Sequence, residues 1–298
     1  GVSVALERLW GTAPAPETLR QAALAEGGEL MGRQREAAQD VVAGDVAGPE
    51  GGPRLLYVAL DGGYARGRGK GQWHEAKLGA VYSDRRVRVS RNRHRLVGRV
   101  NVGTFGSSAE LGELVYAAAF GQGVEQAQEV VVLGDGAGWI RTLQEHHFPH
   151  AELRLDAFHV LQALDKGLQA ACPDDAGRRR RHKQVLGELI WDGRLKEAVR
   201  RLRLMAHHAS PEAGALDDTI EYLEHQAPYI PAYGRLQERG EMISSALAEE
   251  AVDRLFNSRF KHQHRHWCPQ SADPLLALRL LAADGQWEQY WHQSQNAA

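Results

Sequence analysis

The sequence predicts an α/β fold in which a mixed sheet is interrupted by an all-helical block. Three observations carry this reading. Short aliphatic runs end in Asp-Gly, as in Leu55–Leu60 before Asp61-Gly62-Gly63 and Val130–Leu133 before Gly134-Asp135-Gly136. Helix-periodic segments separate the later runs, which is the mark of parallel crossover connections. From Ala157 to about Leu236 the pattern is helical with no strand signal.

Taken in order, residues 1–52 form a helical amino-terminal segment and a linker. Pro16 and Glu17 open a helix through Leu24, and the Gly-, Pro- and acid-rich stretch Gly44–Pro53 connects it to the next domain. Residues 53–160 are the first part of an α/β core. Leu55–Leu60, Glu75–Tyr82 and the Arg/Val alternation at Arg86–Val89 predict an antiparallel meander. A helix follows at Ala109–Ala119, then a strand at Glu129–Leu133, a helix from Gly138 to about His146, and a short strand Glu152–Leu155 closed by Asp156. Residues 161–240 are a helical insertion. Residues 241–298 return to the core with a long helix through Ser244–Lys261, then terminal helices in which Trp287 and Trp291, four apart, belong to the core.

Composition narrows the function. The chain has 298 residues, 43% of them apolar, which is ample for a sizeable core. No apolar stretch reaches the roughly 18 residues of a membrane helix, and no leader opens the chain, so a cytoplasmic protein is expected. The two cysteines, Cys172 and Cys268, lack CxxC spacing, which argues against a zinc site or a disulfide framework. Any metal would be held by oxygen. The net charge of −2 conceals a local excess: Arg85, Arg86, Arg88, Arg91, Arg93, Arg95 and Arg99 occur without an acid between them. A second run, Arg178-Arg179-Arg180-Arg181-His182-Lys183, opens a helix in the insertion. Such clusters either mark a polyanion partner or form an ordinary solvated face.

Three acids are candidates for one site. Asp61 and Asp135 stand at strand ends, and Glu249 lies on the last long helix, where small residues ahead of it allow close approach to a sheet. Two Asp and one Glu can hold two divalent cations about 3.5–4 Å apart for phosphoryl transfer. Locally, each Asp-Gly is equally a turn dipeptide. Glu249 competes with Glu250, a shift of one residue that swings the carboxylate about 100° around a helix.

Set in order, several motifs resemble the DDE transposases of bacterial insertion sequences, related to the Mutator-like group and built on a ribonuclease H-like catalytic fold. They are Leu60-Asp61-Gly62-Gly63, Trp73–Gly79, Gly134–Ile140, Asp156-Ala157-Phe158-His159-Val160, the Glu249 helix running to Arg259-Phe260-Lys261 and Trp267, and Asp284–Trp291. The resemblance spans about Leu55 to His292. It implies a catalytic triad of Asp61, Asp135 and Glu249 holding two Mg²⁺ or Mn²⁺ ions, with the helical block inserted before the glutamate. Asp156 and His159 match a secondary signature of the family, while on local sequence Asp156 is equally a helix cap. The implied partner is double-stranded DNA, transposon ends and target, contacted by Arg85, Arg86, Arg88, Arg91, Arg93, Arg95, Arg178, Arg179, Arg180, Arg259 and Lys261. A homo-oligomer is implied as well. The chain departs from the family at Ser244-Ser245-Ala246, where relatives carry Gly-Ser-Gly. It starts at Gly1 rather than methionine, and a sequence-specific DNA-binding domain is expected to be missing from its front. The rival expectation is a domesticated copy that binds DNA without cleaving it.

Overall fold

The computed structural model describes residues 14–90, 93–96, 98–207, 214–261 and 265–296. The chain divides into two compact units, residues 1–128 with 248–298, and residues 129–247. The fold is mixed α/β: antiparallel strands in one unit, a parallel pair in the other, and a separate two-stranded ribbon.

The first unit opens with α1 (Pro16–Ala43), which starts on a proline and ends at Gly44, whose φ of 82° is left-handed. Its sheet consists of β1 (Leu55–Arg66), β2 (Trp73–Ser83) and β5 (Val100–Thr104), in the order β5-β2-β1 and antiparallel throughout. Every residue from Leu55 to Leu60 is buried, as expected of a strand covered on both faces. The strand β3 (Arg86–Ser90) does not extend this sheet. It pairs with β4 (Arg93–Leu96) as a separate ribbon, and β5 takes the third place in the meander. Helix α2 (Ser108–Phe120) is capped by Ser107, whose hydroxyl accepts the Glu110 N–H. In unit two, β6 (Glu129–Gly134) leads through α3 (Gly138–His147) to β7 (Glu152–Leu155), and the two strands are parallel.

Among the described residues of that second unit, five α-helices follow: α4 (Ala157–Ala171), α5 (Ala176–Trp191), α6 (Leu195–His207), α7 (Gly214–His225) and α8 (Tyr233–Glu238). They close around Val160, Leu164, Ile190, Leu202, Leu216 and Leu223. Beneath them Arg154 is held between Glu152 and Glu241, at 2.7 Å from each. Burial works against its charge, yet the two carboxylates outweigh that cost and raise its pKa.

The expected helix from Ser244 to Lys261 is continuous from Ala246 to Phe260 but changes its bonding on the way: α9 (Ala246–Ala251) passes into a π-type stretch (Val252–Asn257) and then the short α10 (Ser258–Phe260). Arg279 on α11 (Pro269–Ala283) takes up the carbonyls of the disturbed ladder, donating from Nε to Leu255 O at 2.7 Å and from Nη2 to Arg254 O at 3.0 Å. The final helix is α12 (Trp287–Asn296). Tyr290 and Trp291 pack near Leu30 and Leu281, but Trp287 is 41% exposed, so only part of the expected tryptophan pair joins the core.

Candidate functional site

Asp61 is not at a strand end. β1 runs on through it to Arg66, and Asp61 pairs with Leu78 in mid-strand. Gly62 and Gly63 are extended rather than turn residues; neither has a positive φ. The role of Gly63 is steric. A Cβ on Gly63 would lie 2.6 Å from Phe256, so the absent side chain lets the π-type stretch rest on β1. Asp61 and Gly63 project to the same face, being two apart on a strand. The half-buried Asp61 is oriented locally, its Oδ1 accepting the Gly62 N–H at 2.7 Å. The element carrying Glu249 is thus continuous with the stretch that packs on the strand carrying Asp61.

Glu249 and Glu250 differ in their commitments. Glu250 is paired with Arg99 at 3.1 Å and with Arg254 at 2.8 Å. The Arg254 hydrogen bond, aided by Arg99, lowers its pKa. Glu250 is therefore an ion-pair residue. Arg99 is likewise taken up by Glu250, unlike the free phosphate contact expected of an arginine in that cluster.

In the second unit, Asp135 does follow its strand. Its Oδ1 accepts the Ala137 N–H at 2.9 Å and its Oδ2 has no hydrogen-bond donor among the described residues. Gly136 supplies the left-handed turn, φ 89°. Asp156 stands beside this loop, because Gly134 and Leu155 are register partners on β6 and β7 and the Asp156 N–H bonds to Gly134 O at 2.8 Å. Its carboxylate is fully buried. Oδ1 accepts the Phe158 N–H at 2.6 Å, and Oδ2 accepts both the Ser245 N–H and the Ser245 hydroxyl, the latter at 2.7 Å. Asp156 is thus the N-cap of α4 and also a clip for the segment at Ser245. His159 lies in the first turn of the same helix, edge-on to Phe158 with ring centroids 5.6 Å apart.

The sequence did not reveal what holds these loops. Tyr222 and Gln226, at the end of the insertion helix α7, reach Asp135 O at 3.5 Å and Gly136 O at 3.2 Å. Tyr233 donates to Leu155 O at 2.9 Å. Burial, reinforced by the charges of Asp135 and Asp156, pushes the Tyr222 phenol up to about 12, so it remains a donor. Burial and Asp156 raise Tyr233 in the same direction. Ser245 could have been suspected from its place four residues before Glu249; the tyrosines carry no local signal.

The basic residues are spread over several elements. Arg85 is exposed; Arg86, Arg88, Arg93 and Arg95 lie on the β3–β4 ribbon; Arg91 falls outside the described residues. Arg178, Arg179 and Arg180 occupy the first turns of α5, where the helix dipole disfavours cations and the Asp175 cap, 2.7 Å from the Arg178 N–H, offsets it. Arg259 lies over the Trp267 ring, 5.2 Å from its centroid, and Lys261 is exposed at the end of α10.

These features define a mixed α/β protein with carboxylates on strands and strand-end loops, several of those loops hydrogen-bonded to a helical block. The chain belongs to UPF0236, an uncharacterised protein family, whose profile matches residues 13–294. It is similar to the "UPF0236 protein in vanSb 3'region" of Streptococcus gallolyticus, 22% identical over 255 residues. That match covers 81% of this chain and 52% of the relative, so the chain spans about half the length of the curated protein it matches. Among the described residues no helix is long and apolar enough to cross a membrane.

Proposed function

We propose that this chain is a DDE-type transposase with a ribonuclease H-like catalytic fold, cleaving DNA at the ends of an insertion element and transferring the freed strand to a target. The observation that carries the reading is the Gly63–Phe256 contact, which seats the continuation of the Glu249 helix on the strand of Asp61. A glycine at the buried position 63 weakens the strand it interrupts, and the close approach of Phe256 is what requires it there.

The proposed carboxylate set is Asp61, Asp135 and Glu249. Its donor chemistry fits Mg²⁺ or Mn²⁺, which take hard oxygen ligands. Two such ions would supply activation of the attacking oxygen and stabilisation of the leaving one. The chain's own part is orientation. The Gly62 N–H holds one oxygen of Asp61 and the Ala137 N–H one of Asp135, fixing both side chains before any ligand arrives. The exposed arginines would hold the phosphate backbone of double-stranded DNA without reading its sequence. A homo-oligomer joining two ends belongs to the same proposal.

The test uses linear DNA carrying the segment that encodes this chain together with its flanks. Mg²⁺- or Mn²⁺-dependent nicking at the flanks is expected, and it should vanish in Asp135→Asn. Salt-sensitive binding without nicking would instead support a domesticated DNA-binding protein. Equal nicking by Asp135→Asn would refute the carboxylate set.

A further inference from the structure

Beyond Asp61, β1 and β2 continue for five more residue pairs, from Gly62 opposite Lys77 to Arg66 opposite Trp73. The projecting end has an unusual composition. No acid occurs from Tyr64 to His74, and Arg66, Arg68 and Lys70 alternate with Gly67, Gly69 and Gly71. All three cations are exposed, and none is paired with a carboxylate among the described residues. Two aromatic rings accompany them: Trp73 is 57% exposed and Tyr64 53%. Residues two apart on a strand share a face, so Tyr64 and Arg66 on β1 stand on the same side as Trp73 on β2.

This end is built rather than loose. The Gly67 N–H bonds to Gln72 O at 2.8 Å, the Gln72 N–H to Gly69 O at 3.1 Å, and the Gly69 N–H to Gln72 Oε1 at 2.9 Å. The Tyr64 hydroxyl is 3.3 Å from Glu75 Oε1. The Trp267 N–H donates to Arg66 O at 2.8 Å, which ties the hairpin to the segment where Arg259 covers the Trp267 ring. The hairpin therefore adjoins one of the basic residues already assigned to DNA.

We propose that the β1–β2 hairpin end binds single-stranded nucleic acid, with Trp73 and Tyr64 stacking on unpaired bases and Arg66, Arg68 and Lys70 holding the phosphates between them. It extends the DNA-binding part of the function proposed above and does not depend on the carboxylate chemistry. The aromatic rings decide in favour of a single strand. A duplex offers phosphates to the cations but keeps its base faces stacked, leaving an exposed tryptophan nothing to cover, whereas every unpaired base presents a π face. The intervening glycines keep side chains out of the way of a phosphate approaching the backbone. Arg66, Arg68 and Lys70 give the tip, where no acid occurs between Ala65 and His74, a positive charge that a polyanion neutralises.

The experiment measures binding of a fluorescein-labelled twelve-residue oligothymidine and of a duplex of equal length, in EDTA, by anisotropy and tryptophan quenching. The single strand should bind more tightly than the duplex. Trp73→Ala should weaken its binding about 5- to 150-fold, the range for losing one base–aromatic stack, while Trp73→Phe retains most of it. Replacing Arg66, Arg68 and Lys70 together by alanine should reduce the salt slope by about two, from three phosphate contacts at roughly 0.7 each. Because these side chains are exposed, the unfolding midpoint should not move. Equal binding by Trp73→Ala, or a preference for duplex, would overturn the proposal. The two readings fail separately: a parent that binds through Trp73 yet never nicks refutes cleavage while this site stands, and a parent that nicks but binds the oligothymidine no better than Trp73→Ala refutes this site alone.

Discussion

The clip between Asp156 and Ser245 can be tested without any substrate. Ser245→Ala removes the hydroxyl donor and leaves the backbone N–H in place. The carboxylate that loses it is fully buried, so water cannot replace the bond. A hydrogen bond to a charged group contributes about 1.5–3 kcal/mol, and at about 2–4 °C per kcal/mol the midpoint should fall by roughly 3–12 °C. Asp156→Asn should cost more. It places an amide NH₂ where one oxygen now accepts, so a donor faces either the Phe158 N–H or the two donors of Ser245. Thermal and urea denaturation in EDTA read both effects, and the absence of metal matters. A residue that acted chiefly as a metal ligand would leave metal-free stability nearly unchanged when made isosteric and neutral. If Ser245→Ala and Asp156→Asn both lay within about 0.5 kcal/mol of the parent, the range of an ordinary surface change, the clip would be wrong.

Other predictions concern packing and pH. Gly63→Ala drives a Cβ to 2.6 Å from Phe256 and should cost about 1–3 kcal/mol by overpacking, with nicking reduced in parallel; an unchanged melting curve would show that the contact is not close in solution. Asp273 and Glu250 should give opposite pH dependences. Burial raises the Asp273 carboxyl above its ordinary 3.8, despite bonds from Phe105 and Thr104, so its contribution is complete below that value and is lost as pH rises through the raised pKa. Asp273→Asn should flatten that decline. Arg254 and then Arg99 lower Glu250 below its ordinary 4.5, so its contribution is present above 4.5 and disappears as pH falls through the lowered value. Glu250→Gln should remove this loss on the acid side. Urea midpoints measured across pH 2–7 check both, and parallel curves for parent and variants would contradict them.

What the sequence made legible was local. β6, α3 and β7 lie within two residues of their expected bounds because each has an apolar run or helical period bounded by Gly, Pro or Asp. The errors arise where distant residues decide. Gly62-Gly63 reads as a turn until Phe256 is seen to need the space. β5 was missed because its buried Asn101 and Thr104 look polar in isolation. Their partners, Asp284 and Asp273, lie 183 and 169 residues away. The π-type stretch in the Glu249 helix is invisible for the same reason, since Arg279 on another helix takes up its carbonyls. For the candidate site, the residue types were legible and their supports were not. Asp135, Asp156 and Glu249 stand out as acids near strand ends or on a helix, while Tyr222, Gln226, Tyr233 and Ser245 resemble ordinary residues of a helical block.

Those supports change what the helical block is for. A surface insertion can usually be shortened at little thermodynamic cost, because loop closure grows slowly with length. Here the block supplies donors to the Asp135 and Gly136 carbonyls through Tyr222 and Gln226 and to the Leu155 carbonyl through Tyr233. Removing it would leave these backbone acceptors without their partners and expose Val160 and Leu164, which pack in the same core as Leu216 and Leu223. The Asp135 loop cannot take its shape until α7 is in place. The block must therefore fold together with β6 and β7, because the carbonyls at the end of β7 and in the Asp135 loop find their donors on it.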